Sequence, residues 1–338
     1  MAGGANVPTV AGVQPLETDI LIIGAGPTGL YGAYCAGFRG LRTVVLDALP
    51  QVGGQISALY PEKEISDVAG IPHLRGREFV AALLEQADAY EPVYLLGRQA
   101  VELAQTPDGR PLVTLADGSR ITAGALVLTA GIGTFVPRTL PAGEEFLGRG
   151  LSYFVPDPGD HADHDVLVVG GGDSAVDWAL ALHPIARSVT LVHRRSTFRA
   201  HAANLAALRA CGIRLVTEAE VEALTGNGVV RQAHVRVRGE DGPRVYDVDS
   251  VIAALGFISD LGPIGAWGLD LTRRHIVVDS RMRTSRHRVY AAGDVTEYAG
   301  KVRLMSVGFG EVATAVNNAA VDLDPELPLF PGHSTESP

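Results

Sequence analysis

Cysteine is nearly absent from this sequence. Cys35 and Cys211 are its two cysteines, and they stand far apart. They form no C-x-x-C pair, no disulfide framework and no metal-ligand spacing, so a cystine-stapled fold and a zinc site are excluded and no metal is expected. A reducing, cytoplasmic setting fits best. Long apolar runs are also missing: no stretch of about 18 apolar residues occurs, so no membrane-spanning helix is expected. The opening MAGGANVPTVAGVQPLETD has no basic segment followed by an apolar block, which argues against a signal peptide; its first 15 or so residues read as a flexible arm. Positive charge is in deficit, with 28 Lys and Arg against 38 Asp and Glu and a net charge of −10. Bulk electrostatics therefore exclude a nucleic-acid binder.

What is present is glycine, 40 residues of it, in a chain of 338 that is 46% hydrophobic and 20% charged. That length suits two domains, each with its own core. The glycines concentrate at two places. In TDILIIGAGPTGLYGAYCAGFRGLRTVVLDALP, a continuous apolar run reads as a parallel strand buried on both faces. It leads into Gly24-Ala25-Gly26-Pro27-Thr28-Gly29, then a helix, then a second strand closed by Asp47. Gly24 allows the sharp turn, Gly26 lets backbone approach a pyrophosphate, and Gly29 lets the helix pack close to the strand. The phosphates are expected on the helix N-terminus, and Asp47 is expected to accept hydrogen bonds from a ribose diol.

The second place is HDVLVVGGGDSAVDWALALHPIARSVTLVHRRSTFRA, where Gly170-Gly171-Gly172-Asp173-Ser174-Ala175 has the G-x-G-x-x-A form of the same loop. His193 follows Gly170 at the same spacing as Asp47 follows Gly24, so the two units can be compared position by position. Where the first has a carboxylate, the second has His193, Arg194 and Arg195, with Arg199 further on. A carboxylate favours a free 2′-hydroxyl, whereas guanidinium forks match a 2′-phosphate. The second site is therefore expected to take NADP(H), and the first a nucleotide with an unmodified ribose; the bland alternative for the arginines is a solvated strand end. His161 and His164 in HADHD lack a third ligand, and Cys35 on the first helix reads as inert core.

The strings ITAGALVLTAGIG (121–133) and VIAALGF (251–257) read as strands that lead from one domain into the other. Asp117-Gly118 and Asp241-Gly242 mark hairpin turns. The fold expected is α/β, with two Rossmann-like dinucleotide-binding domains and the second inserted in the first: 1–132 and 257–338 form one domain, 133–256 the other.

These features, with QVGGQISALYPEKEISDVAG (51–70), TAGIGTFVPR (129–138), GGGDSAVDWAL (170–180), HRRSTFRAH (193–201), AAGDVTEYAGKVRLMSVGFGEVATAVNNA (291–319) and FPGHST (330–335), resemble the two-domain flavoproteins, and among them the ferredoxin–NADP+ reductases of the thioredoxin-reductase-like type. The resemblance implies FAD in the first site and NADP(H) in the second. It also implies a homodimer and ferredoxin or flavodoxin as redox partner. In thioredoxin reductase a C-x-x-C lies just before the second glycine loop; here Tyr153, Phe154, Val155 and Pro156 occupy the place, so flavin must pass electrons directly to an external carrier.

Site roles follow from the same resemblance. Asp47 matches the acid on the adenosine ribose, Gln55 a loop contact along the ribityl and flavin, and Tyr60 an aromatic stacked on the isoalloxazine. Val101 and Phe135 match further FAD contacts, though both could equally be core. Asp294 matches the acid near the ribityl or pyrophosphate, and Thr335 a polar contact near the flavin edge. His333 and Ser334, from the tail, would cover the second flavin face from the other subunit. The helix following Asp294 is expected to begin near Gly310 and Glu311 and to point at the flavin pyrimidine. Two basic clusters, Arg281, Arg283, Arg286 and Arg288 or Lys301 and Arg303, are candidate docking faces for an acidic carrier. The expected activity is an FAD-dependent NADPH–ferredoxin reductase. The alternatives are a flavin reductase or NAD(P)H oxidase with another acceptor, or a binding protein that uses flavin structurally.

Overall fold

The structure, a computed structural model, describes residues 16–333 and 335. The expected N-terminal arm and Ser334 lie outside the described residues. The chain divides into two compact units. One comprises Met1–Ser57, Glu64–Thr134 and Asp260–Pro338; the other comprises Ala58–Lys63 and Phe135–Ser259.

The first unit is organised on Leu16–Ile23, whose residues Ile20, Leu21 and Ile22 are fully buried, as a central parallel strand requires. Thr43–Asp47 lies parallel on one side, with Val93–Leu96 beyond it, and Arg120–Leu128 lies parallel on the other. The long strand Arg120–Leu128 is shared. Its beginning pairs antiparallel with Pro111–Leu115, which continues to Ala100–Gln105, and its end pairs parallel with Val289–Ala291. The register aligns Ile23 with Leu46 and with Leu128, and Leu128 with Ala291. Gly24, Asp47, Thr129 and Ala292 therefore all emerge at one carboxyl edge of the sheet.

Two helices pack on each other over this sheet, Pro27–Phe38 and Met305–Leu323. Their approach is close enough that a methyl group on Gly32 would stand 2.7 Å from Val312 Cγ2 and 3.3 Å from Ile22 Cδ1. The last helix begins at Met305, so Gly310 and Glu311 lie inside it and not at its N-terminus, which corrects the start expected from sequence. Its first two turns, with Gly308 and Gly310 and no side-chain cap at Leu304, carry few helix signals.

The second unit repeats the scheme. Its sheet runs Leu151–Ser152, Ser250–Ala253, Asp165–Val169, Ser188–His193, Arg214–Thr217, all parallel. Val169 is level with both Val192 and Ala253, so Gly170, His193 and Ala254 share its carboxyl edge. An antiparallel meander, Ala219–Gly226, Val230–Val237 and Pro243–Asp247, completes it. The strands Thr134–Pro137 and Phe257–Asp260 pair with each other and carry the chain out of the first unit and back. Ala58–Lys63 groups with the second unit because Tyr60 packs against that unit's core and Lys63 pairs with Asp177.

The tight helix crossing gives a direct test. Gly32→Val should lower stability by about 1–3 kcal/mol through overpacking against Val312. A lower urea midpoint at unchanged slope would be the readout; an unchanged midpoint would contradict the packing described.

Candidate functional site: two glycine-lined helix N-termini

The first loop is shaped by its own backbone. Gly24 has φ +114°, and a methyl group there would strike the carbonyl of Thr129; one on Gly29 would strike the carbonyl of Gly24. Thr129 Oγ1 locks the arrangement, donating to Gly24 O at 2.8 Å. Gly26 is different. It is the N-cap of the helix Pro27–Phe38, with φ −72° and ψ −178°, a conformation open to any residue, and the nearest atom to a methyl group there is Gly54 Cα at 3.9 Å. No side chain caps the helix. An open glycine face beside uncapped N–H groups is the arrangement that admits a pyrophosphate.

Asp47 holds this loop to its sheet. Its Oδ2 accepts from the Ala25 N–H at 2.6 Å and its Oδ1 from the Leu49 N–H at 2.8 Å. Burial pushes its carboxyl above the usual range, against those bonds. Each oxygen retains a second acceptor direction, so a ribose hydroxyl can still be received. Gly53 donates to Ala25 O at 2.8 Å, bringing the segment that opens Gln55–Leu59 against the loop. The Gln55 amide lies beside Gly131, 3.1 Å from where a methyl would stand. Thr28 Oγ1 stands 3.0 Å from such a position on Gly293 and 2.7 Å from one on Gly308. Gly24, Gly26, Thr28, Gly29, Asp47, Gln55 and the loop carrying Asp294 are thus brought to one edge.

The other residues singled out in the sequence have the following surroundings. Tyr60 packs against the core of the second unit. Val101 lies on Ala100–Gln105, its carbonyl accepting from Trp267 Nε1 at 3.3 Å. Phe135 belongs to the connecting strand Thr134–Pro137. His333 is exposed, its ring meeting Phe330 edge-on at 5.0 Å, and Thr335 is exposed.

The second loop follows the same rules. Gly170, at φ +153°, faces the Ala254 carbonyl and the Ala175 methyl. Gly172 is the N-cap of Asp173–Leu182, with no side-chain cap, φ −96° and ψ −178°; the nearest atom to a methyl group there is Arg199 O at 3.9 Å. The segment after the second strand folds back on this loop. The Arg199 N–H donates to Gly171 O at 2.7 Å, the His201 N–H donates to Asp173 Oδ1 at 2.8 Å, and the His193 ring fills the space a side chain on residue 171 would need. Thr197 O lies 3.1 Å from His193 Nε2, and burial lowers the imidazole's pKa. Arg194, Arg195, Arg199 and Ser174 are exposed.

Two readings change with the fold. Lys301 is not a docking residue, because its ammonium is 1% exposed and paired with Glu311; Arg303 pairs with Glu297 at 2.7 Å. In the arginine cluster Arg283 pairs with Asp322 and Arg286 donates to Trp267 O at 2.6 Å, so those four do not form a free basic face. His161 and His164 both turn Nδ1 to the buried Ser250 hydroxyl, at 3.1 and 2.9 Å, and no metal-binding group of three is found among the described residues. Cys35 is buried, its thiol pushed up to about 12 by that burial.

Residues 18–319 match the family described as pyridine nucleotide-disulphide oxidoreductase. The chain belongs to that family. A ferredoxin–NADP reductase of Salinispora arenicola is 58% identical over 95% of this chain and 99% of its own length. One of Halalkalibacterium halodurans is 43% identical over 94% and 97%. Among solved structures, thioredoxin reductase of T. acidophilum superposes with a TM-score of 0.78 at 24% identity, covering 90% of this chain and 98% of that one. The Lactococcus lactis enzyme gives 0.76 at 22%, covering 90% and 99%. These two report the fold. In this member of the family Tyr153 and Val155, ahead of the second glycine loop, belong to the core, Phe154 is half-buried and Pro156 is exposed. Tyr153 is buried and its hydroxyl accepts from the Leu140 N–H at 3.2 Å, Phe154 stacks on Phe257 at 5.6 Å, and Val155 is fully buried.

The two open glycines separate ligand from fold. Gly26→Ala and Gly172→Ala should each leave the unfolding midpoint nearly unchanged, since no neighbouring atom comes closer to the new methyl than ordinary van der Waals contact. Each should weaken its own nucleotide by about tenfold or more, about 1.4 kcal/mol. Titration of FAD against the first and NADP+ against the second checks this, and a loss of stability without loss of affinity would contradict it.

Proposed function

We propose that this chain is a ferredoxin–NADP+ reductase that holds FAD on the first glycine loop and NADP(H) on the second. The observation that carries the reading is the paired architecture. There are two uncapped, glycine-faced helix N-termini, one followed by a carboxylate drawn into the loop and the other by exposed arginines. Bound FAD supplies the conversion of a two-electron hydride into single-electron steps that a carrier such as ferredoxin or flavodoxin can accept.

The chain's own residues bind and orient. Gly26, Thr28 and Gly29 present backbone to the FAD pyrophosphate, Asp47 receives its ribose, and Gln55 and Asp294 meet the ribityl side. Gly170, Gly172, Asp173 and Ser174 frame the NADP(H) pyrophosphate. Arg194, Arg195 and Arg199 receive the 2′-phosphate, with His193 packed beneath the loop. Tyr60, His333 and Ser334 cover the flavin faces, with Val101, Phe135 and Thr335 as further contacts. The tail residues come from a second copy in a homodimer, and the setting is cytoplasmic, where the free cysteines stay reduced. No helix among the described residues is long and apolar enough to cross a membrane.

Anaerobic mixing tests the reading. NADPH should bleach the yellow protein faster than NADH, and added ferredoxin should support cytochrome c reduction. Arg194→Ala with Arg195→Ala should raise KM for NADPH about 10- to 100-fold, from roughly 1.5–3 kcal/mol per charged hydrogen bond, and leave NADH unchanged. Equal losses with both nucleotides would count against the 2′-phosphate role. If the bleached protein passes electrons to oxygen once air is admitted but never to ferredoxin, the activity is that of an oxidase.

A further inference from the structure

We infer that the buried pair Glu311 and Lys301 positions Asp294, and through it sets how tightly the first site holds FAD. This rests on the reading of that site as the FAD site.

The chain leaves the sheet at Ala291 and reaches the last helix at Met305 through a loop whose only strand is the two-residue Thr296–Glu297. A loop with so little regular structure needs other restraints to keep one shape. Here they converge on one carboxylate. Glu311 lies inside the last helix, its side chain 4% exposed. Oε2 accepts from the Gly293 N–H at 2.7 Å and lies 3.4 Å from the Thr296 hydroxyl, which donates to Gly293 O at 2.7 Å. Oε1 accepts from the Tyr298 hydroxyl at 2.5 Å and from the Lys301 ammonium at 2.5 Å. The ammonium also donates to Gly293 O at 3.0 Å. Every donor belongs to the same loop.

The consequence falls on Gly293. Its N–H is held by the anion and its C=O by the cation, at φ +82°, a left-handed value that suits glycine. With both groups fixed, the direction in which the chain enters Asp294 is fixed as well. Gly293 and Gly308 in turn abut Thr28 in the first turn of the nucleotide-loop helix. The Asp294 carboxylate is half-buried and makes no hydrogen bond to any described residue, so the fold leaves it available to a ligand. Glu311 is saturated and structural, Asp294 is open, and a single glycine separates the open group from the anchors.

A buried ion pair is a poor source of net stability but a strict one of geometry, because its partners must all be in place at once. That distinguishes positioning from simple packing, and the experiment separates them. Holoprotein is prepared as the parent, as Asp294→Ala, as the double variant Glu311→Gln with Lys301→Met, and as the triple variant. The double variant removes both charges together, so neither is left buried alone. FAD affinity is read from the fluorescence of FAD released on dilution, and circular dichroism at saturating FAD reports the fold. The double variant should keep the parent's dichroism and bind FAD about tenfold or more weakly, and the triple should be no weaker than Asp294→Ala beyond about threefold, because the effects run through one residue. Lys301→Arg, which keeps the charge, should stay within about threefold of the parent. If the double variant does not fold, Tyr298→Phe, which takes one donor from Glu311 without stranding a charge, should weaken FAD about threefold and lose that effect in the Asp294→Ala background. Unchanged affinity in the folded variant, losses that multiply in the combined variants, or an Asp294→Ala protein that binds as well as the parent would each overturn the inference. A parent that binds no FAD would remove the underlying reading, a result visible before any variant is compared.

Discussion

Parallel pairing around Leu16–Ile23 and Arg120–Leu128 is the constraint from which the rest of the first unit follows. Because Ile23, Leu46, Leu128 and Ala291 end level, four chain segments leave the sheet side by side. They are the glycine loop, the turn after Asp47, the turn after Thr129 and the loop of Asp294. Ligands of open parallel sheets sit beyond the carboxyl ends of the strands, and here the backbone groups that would hold one are delivered there by register alone. The second unit obtains the same edge from Val169, Val192 and Ala253. One topology thus serves twice, and the difference in ligand is left to the side chains that follow the second strand of each.

Those side chains behave in opposite ways. Asp47 turns inward and accepts two backbone N–H groups, so it serves the shape of the loop before it serves any ribose. Arg194 and Arg195 stay exposed, while His193 packs on Gly171 and the Arg199 backbone closes over the loop. The basic groups are displayed and their backbone is fixed, as recognition by a guanidinium fork requires.

Much of this was legible in the sequence because glycine requirements are local. A left-handed φ at Gly24 or a carbonyl pressed against Gly29 demands glycine whatever the distant chain does. The matched spacing of Asp47 and His193 was readable for the same reason. What escaped was nonlocal. Glu311 looked like the start of a helix because the glycine-rich turn before it carries no cap, yet that turn is helical, with Gly308 pressed against Thr28. Lys301 looked like surface charge, since nothing in GKVRL announces that its ammonium is buried against a carboxylate ten residues on. Tyr60 stands in sequence among residues of the first unit, but its ring and Lys63 find their partners in the second. Burial and ion pairing are decided by the completed fold, and a pattern of residue types does not contain them.

The packing just ahead of the second glycine loop bears on where electrons leave. A relay at that place would need a side chain able to react and a segment able to present it. Instead Val155 has no exposed surface, Tyr153 is tied to the Leu140 backbone, and Phe154 is stacked at an interplanar angle of 8° on Phe257. Breaking such aromatic and core contacts costs several kcal/mol, of order 3–5 for a large side chain. Neither thiol offers a substitute: Cys35 is buried with its pKa raised, and Cys211 hydrogen-bonds to the Leu208 carbonyl. The fold shared with thioredoxin reductases is kept, and Tyr153 and Val155 belong to the core. The shape of the loop that leads into Asp294 is set from beneath, where the buried Glu311–Lys301 pair holds both backbone groups of Gly293.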